Sequence, residues 1–329
     1  MFGISRNIAI VTHQGDLHAL IVREQLRRAG DKCAVIASDA LAGLPALSWY
    51  LDNRDGEAVC HDIDGREILV RELHLVWWRR MPRGSSPDNH GHLPDPVEVF
   101  AARNIRESLL GVFFTDFAGL WLDHPENIRR ANNKLVQLRV AAAAGFRVPR
   151  TLLSQDPDRI RQFNASLDDG MVVKTVAGML GVPSLTGQVT HEQLENDGPL
   201  KACPAIYQEL IPGREHLRVH CFGTEVKSVL ITSDLLDWRH PLEVEMESFE
   251  LPQKLKDSLL EILAKFGLQM GIFDLKLTPG GDPIWLELNP QGQFLFVEAL
   301  GGENLIDPFV RFLQDLTDRR TSVAIGQRS

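Results

Sequence analysis

The sequence predicts a mixed α/β protein: an α/β unit at the N-terminus, followed by α+β units. Two observations carry this. A buried strand (Asn7 to Thr12), an amphipathic helix (Leu17 to Ala29, stopped by Gly30) and a second strand (Cys33 to Ala37) open the chain as a β-α-β unit, which implies a parallel sheet. Farther on, apolar-alternating runs meet at glycine-centred turns, the mark of antiparallel hairpins. One pairs Leu217 to Phe222 with Glu225 to Thr232, and another flanks Pro279-Gly280-Gly281-Asp282.

The remaining elements follow in order. A Gly65-centred hairpin precedes a strand from Leu73 to Trp78, which runs into Arg79-Arg80-Met81-Pro82-Arg83. Guanidinium forks beside indoles suit carboxylates and phosphates, although a solvated sheet edge explains the same run. His13, Asp16 and His18 lie just past the first strand, where open α/β sheets bind ligands. Helix entry chemistry, with Asp16 capping the helix, is the plainer explanation. After a Gly/Ser/Pro-rich loop, Pro96 to Phe114 reads as a helix, and Leu122 to Gly145 as one long helix with Lys134 inside it. A strand at Thr151, a helix from Asp156 to Phe163 and the strand Met171 to Lys174 come next. Gly178, Gly181 and Gly187 then form a backbone able to fold over phosphates. Leu185 to Val189 is a strand and His191 to Glu195 a helix started by Thr190. Ala205 to Ile211 is a strand, Pro252 to Phe266 a helix ended by Gly267, and Asn304 to Leu316 the closing helix.

Composition excludes several functions. At 329 residues, 44% hydrophobic and 24% charged, the chain can bury a large core and divide into two or three domains. A net charge of −9 argues against a general nucleic-acid or anionic-membrane surface. No apolar stretch reaches the length of a membrane span and the start lacks signal-peptide features, so a cytoplasmic location is expected. Cys33, Cys60, Cys203 and Cys221 have no Cys-x-x-Cys spacing and read as free thiols. A phosphate-loop ATPase and a nicotinamide dehydrogenase are disfavoured, because neither glycine motif occurs.

The second hairpin holds the chemistry. With a two-residue Gly280-Gly281 turn, Asp274 lies directly across from Glu287, and Asn289 joins them on the same face. Phe273, Leu275, Leu277, Leu286 and Leu288 make the other face core. Two acids and an amide on one face suit a hard cation such as Mg²⁺. A solvated polar face is the plainer alternative, and a longer turn would move Asp274 to the other side. Arg218 alternates with Leu217 and Val219 and so points toward the same front.

From Asn132 onward, these pieces resemble the ATP-grasp ligases in order and type. The resemblance implies an ATP-grasp fold behind an N-terminal pre-ATP-grasp α/β domain, divided at 1–120, 121–204 and 205–329. It also implies ATP and Mg²⁺ as cofactors. Lys134 and Lys174 would hold nucleotide phosphates, and Gln208, Glu209, Leu210 and Ile211 the adenine. Glu215 would contact the ribose, Arg218 the phosphate side, and Asp274, Glu287 and Asn289 the magnesium. More narrowly, Trp78-Arg79-Arg80, the run from Ala205 to Arg218, Asp237-Trp238-Arg239 and the run from Leu286 to Phe294 resemble the microviridin-type peptide ligases, the graspetide synthetases. That likeness implies a precursor peptide with leader and core as partner, a homodimer, and catalytic roles for Lys174, Arg218 and Arg239. An Asp or Glu side chain would be activated as an acyl phosphate and joined to a Ser/Thr hydroxyl or a Lys amine. The short Gly-rich spacer after Lys174 and the His13-Asp16-His18 group depart from the pattern, which leaves precursor recognition open. An ATP-grasp ligase joining amino acids to a small molecule or protein tail is the enzymatic alternative. A non-catalytic nucleotide- and peptide-binding protein is the other, and the complete set of lysines and metal ligands counts against it.

Overall fold

The computed structural model describes residues 5–39, 47–81, 95–176, 186–239, 244–300 and 303–326. It divides into two compact units, Met1–Pro125 with Asn304–Ser329, and Glu126–Glu303.

The first unit opens with β1 (Asn7–Thr12), α1 (Leu17–Arg28) and β2 (Lys32–Ala37), as the β-α-β pattern predicts. Strands β3 (Leu47–Leu51), β4 (Gly56–His61) and β5 (Glu67–Leu69) make a small antiparallel sheet, turning between β4 and β5 at Gly65 with φ 76°. Then come β6 (Leu75–Trp78), α2 (Pro96–Asp116) and β7 (Leu120–Leu122). The main sheet is parallel, in the order β2-β1-β6-β7. Its strands are apolar through their centres, and Ile8, Ile10, Leu75 and Val76 are fully buried.

The second unit starts with α3 (Pro125–Ala131) and α4 (Lys134–Ala143) where the sequence predicts one helix. The break has a local cause: the Asn133 side chain accepts from the Leu135 and Val136 amides and caps α4. Lys134 is therefore the first residue of a helix rather than a mid-helix position. Strands β8 (Thr151–Ser154), β9 (Met171–Lys174), β10 (Gly187–Gln188) and β11 (Ala205–Glu209) form an antiparallel sheet in the order β10-β9-β11-β8. Helices α5 (Pro157–Ala165), α6 (His191–Glu195) and α7 (Asp197–Ala202) accompany it, around a core of Ile160, Met171, Leu200 and Tyr207. The strand expected from Leu185 shrinks to two residues. Leu185, Gly178 and Gly181 lie outside the described residues.

A five-stranded antiparallel sheet completes this unit: β12 (Glu215–Phe222), β13 (Glu225–Thr232), β14 (Glu245–Ser248), β15 (Met270–Leu277) and β16 (Pro283–Asn289), in the order β14-β13-β12-β15-β16. Helix α8 (Gln253–Phe266) buries Leu259, Ile262, Leu263 and Phe266 and ends at Gly267 in the left-handed conformation; α9 (Leu295–Ala299) follows β16. Gly271 admits no side chain, since a Cβ there would lie 2.7 Å from methyls of Leu263 and Leu288.

Gln137 ties α4 to β16. Its Nε2 donates to the Ala131 and Leu288 carbonyls at 2.6 and 2.7 Å, and its Oε1 accepts from the Leu288 amide at 2.8 Å. Gln137→Leu would orphan three buried backbone groups, and we expect a loss of about 2–4 kcal/mol. Chemical denaturation checks this through a lower midpoint at unchanged slope. A loss below about 0.5 kcal/mol would contradict it.

The closing helix, α10 (Ile306–Gly326), departs from the expected 205–329 grouping and packs with the first unit. Phe309 meets Trp77 at 4.7 Å between ring centres, Asp318 takes the Arg6 guanidinium, and Gln314 donates to Asp31. The apolar stripe chooses the helix's partner, and chain adjacency does not.

Candidate active site

Arg218, Asp274 and Glu287 are direct neighbours across β12, β15 and β16, so their side chains share one face of the sheet. The register arises differently from the expected two-residue turn. Thr278 N–H donates to the Asp282 carbonyl and Gly281 N–H to the Thr278 carbonyl, and only Gly281 of the glycine pair has positive φ, at 83°. The loop is therefore three residues long, which alone would carry Asp274 to the apolar face. A β-bulge corrects it: Asp274 faces Glu287 while Leu275 faces Trp285, leaving Leu286 as the extra residue. Leu286, expected in the core face, is half-buried. Trp285 is fully buried in its stead, against Phe273 and Phe146.

The carboxylates converge. Asn289 Nδ2 donates to Asp274 Oδ2 at 3.0 Å and to Glu287 Oε1 at 3.2 Å, so both oxygens are drawn to one point. Arg218 Nη1 donates to Asp274 Oδ1 at 2.7 Å and Nη2 to the Gln293 carbonyl at 2.8 Å. The same guanidinium lies 5.6 Å from the Trp238 ring and 5.2 Å from the Phe296 ring. Asp237 grips Arg239 with both oxygens, at 2.7 and 2.6 Å, and Arg239 Nη1 stands 3.6 Å from Glu287 Oε1.

These charges set the protonation of the pair. Burial pushes Asp274 above the usual carboxylate range against the pull of Arg218, and the Glu287 charge adds to the rise. Burial also pushes Glu287 upward, but Arg239, Lys134 and Lys174 together hold it below that range. Burial lowers the Lys174 ammonium to about 8. One acid is thus biased toward its proton, and a hard cation beside it would relieve that bias. The donor set fits such an ion: two carboxylates, and an amide that a rotation would turn oxygen-first. Among the described residues no group of three or more His, Cys, Asp or Glu gathers elsewhere as a metal cluster.

The other expected residues lie on the same unit. Lys134 Nζ is 3.4 Å from the Thr175 carbonyl, one residue beyond Lys174 at the end of β9. Gln208 is buried in β11, its Nε2 donating to Thr151 Oγ1 at 2.9 Å. Of the adjoining backbone donors, the Glu209 and Leu210 amides are already given to the Arg150 and Gly170 carbonyls. Ile211 is buried, and Glu215 is exposed at the start of β12. His13, Asp16 and His18 belong to the first unit, where Asp16 caps α1 as one of the two readings expects. Sequence reasoning missed the grip of Asp237 on Arg239, for which the Asp-x-Arg spacing was the available signal. It also missed the Gln293 carbonyl and the aromatic seat of Arg218, which no local pattern marks.

No protein-family model and no curated sequence matches the chain. Solved structures do. Macrocyclase MdnC of Microcystis aeruginosa, bound with precursor peptide MdnA, superposes with TM-score 0.80 at 26% identity, over 94% of this chain and 98% of that one. Macrocyclase MdnB of the same organism gives 0.76 at 26% identity, over 93% and 98%. A Chryseobacterium gregarium ATP-grasp ligase associated with ribosomal peptide modification, in complex with ADP and a leader and core peptide, gives 0.79 at 23% identity, over 96% and 97%. The chain therefore has the ATP-grasp fold. Among proteins of that fold, the chain is similar at 26% identity to the macrocyclases MdnC and MdnB, in line with the graspetide-synthetase type that its sequence resembles.

Proposed function

We propose that this protein uses ATP to activate an Asp or Glu side chain of a ribosomal precursor peptide as an acyl phosphate. The acyl group is then joined to a Ser/Thr hydroxyl or Lys amine of the same peptide, with release of ADP and phosphate. The observation that carries this reading is the Arg218–Asp274–Glu287 row closed by Asn289, in a fold shared with macrocyclases, one of them bound to a precursor peptide.

In this proposal Asp274, Glu287 and Asn289 hold magnesium, and Lys134 and Lys174 hold the nucleotide phosphates. When bound, Mg-ATP supplies the transferable phosphoryl group and part of the charge neutralisation. The adenine lies along Gln208 to Ile211, using groups other than the Glu209 and Leu210 amides, with Glu215 toward the ribose. Arg218, engaged by Asp274 and the Gln293 carbonyl, positions the metal-side carboxylate. Arg239, held by Asp237, presents its Nη1 edge to the acceptor carboxylate or the acyl phosphate. The test is stoichiometry: each ring closed should release one ADP and one phosphate. AMP with pyrophosphate, or ring closure without ATP, would overturn the reading.

A pH dependence follows from Lys174. Phosphate binding favours its ammonium form, so nucleotide affinity should hold below pH about 8 and decline as pH rises through it. Lys174→Met should be weaker throughout and lack that decline. Calorimetry of Mg-ADP from pH 6.5 to 9.5 checks it, and an identical profile in the variant would contradict the assignment.

The leader peptide is proposed to bind along residues 178–200. Among the described residues strand β10 lies at the edge of its sheet, where an extended peptide can add as a further strand. Leu194 packs on the Ile160–Tyr207 core, so its substitution reports on folding rather than on peptide contact. Gln188→Pro in β10 is the cleaner probe, since proline removes a ladder donor. No described helix is long and apolar enough to cross a membrane. A cytoplasmic homodimer is the proposed state, and light scattering at micromolar concentration showing only monomer would remove the dimer.

A further inference from the structure

The parallel sheet of the first unit has its topological switch at β1. The chain leaves β1 for β2 on one side and later returns as β6 on the other. In open sheets of this kind, ligands sit outside the carboxyl ends of the strands flanking the switch. Here those strands end at Thr12 and Trp78, and the residues that follow bring Asp16 and Arg79 together. Arg79 Nε donates to Asp16 Oδ2 at 2.6 Å, Thr12 Oγ1 donates to the same oxygen at 2.7 Å, and Asp16 Oδ1 accepts the His18 amide that opens α1. Asp16 is fully engaged, and Arg79 is not.

Arg79 is completely buried, with its guanidinium carbon 4.8 Å from the Trp77 ring centre, yet among the described residues neither Nη1 nor Nη2 has a hydrogen-bond partner. A buried guanidinium edge left without acceptors is costly. Burial lowers Arg79 to about 10, which leaves it charged at neutral pH. Half-buried Arg80 adds a second positive charge beside the Asp16–Arg79 pair, which leaves one net positive charge among the three. A single net positive charge and a planar two-donor edge match a monoanionic carboxylate better than a phosphate dianion.

We propose that the carboxyl edge of this parallel sheet is a carboxylate-binding site, in which the two unpartnered Nη groups of Arg79 take an acidic side chain of a peptide. The site belongs to the first unit and is independent of the nucleotide reading.

The test uses full-length protein labelled with ¹⁵N-arginine, and follows the Arg79 side-chain resonance, identified by its loss in Arg79→Lys. The probes are N-acetyl-Gly-Glu-Gly-amide, its Gln counterpart, acetate and inorganic phosphate. The Glu peptide should shift that resonance and saturate at millimolar concentration, while the Gln peptide should not. Arg79→Lys should weaken Glu-peptide binding at least about tenfold, as expected for the loss of a bidentate, charge-assisted pair. Arg80→Gln, a half-buried position that keeps the test open if Arg79→Lys fails to fold, should weaken it a few-fold. No shift with the Glu peptide, saturation by phosphate alone, or unchanged affinity in Arg80→Gln would overturn the site. Equal affinity for acetate would overturn the peptide source.

Discussion

Glu287→Gln should reduce acceptor-dependent ADP release by about 10³-fold or more while leaving the fold intact. A divalent ion contributes several kcal/mol of charge stabilisation to phosphoryl transfer, and each 1.4 kcal/mol is about tenfold in rate. The substitution keeps the shape of the side chain and removes only the charge that Arg239, Lys134 and Lys174 surround. Glu287 lies at the sheet's front face, so the melting temperature should move by no more than a few degrees. Steady-state ADP release and thermal denaturation of the same preparation check both halves. Wild-type turnover in this variant would remove Glu287 from the metal site.

Arg218→Met should cost both activity and stability. Arg218 and Asp274 are both buried, and removing one partner of a buried ion pair typically costs about 3–5 kcal/mol because the other charge is stranded. The sign of the pH dependence follows. Without Arg218, the Asp274 pKa in the folded state rises further above its unfolded value, so the native state binds more protons than the unfolded one between those two values. Stability of the variant therefore improves as pH falls through that window, and its gap to wild type narrows in acid. Asp274→Leu added to Arg218→Met should recover much of the stability and none of the activity. Urea titrations at several pH values measure this, and a stability gap independent of pH would contradict the stranded-charge account.

Much of the site was legible because it rests on short-range rules. Strand alternation placed Arg218 opposite the core face, and cross-strand pairing put Asp274 beside Glu287. That pairing came out as expected although its stated cause did not, because a three-residue loop and a bulge at Leu286 cancel in register. Bulges seldom announce themselves in sequence. The break between α3 and α4 was hidden for a related reason: apolar periodicity runs through Asn132-Asn133, and only the cap bond of Asn133 reveals the boundary. The docking of α10 on the first unit and the seating of Arg218 between Trp238 and Phe296 depend on contacts far apart in the chain, which no local window contains.

Oxygen tracing tests the central claim most directly. A peptide encoded beside this gene, carrying ¹⁸O in its Asp and Glu side-chain carboxylates, would be incubated with the enzyme, magnesium and unlabelled ATP. Activation through an acyl phosphate transfers one carboxylate oxygen to phosphorus, so each ring closed should release phosphate bearing one ¹⁸O together with ADP. Ring closure that releases only unlabelled phosphate would contradict the account.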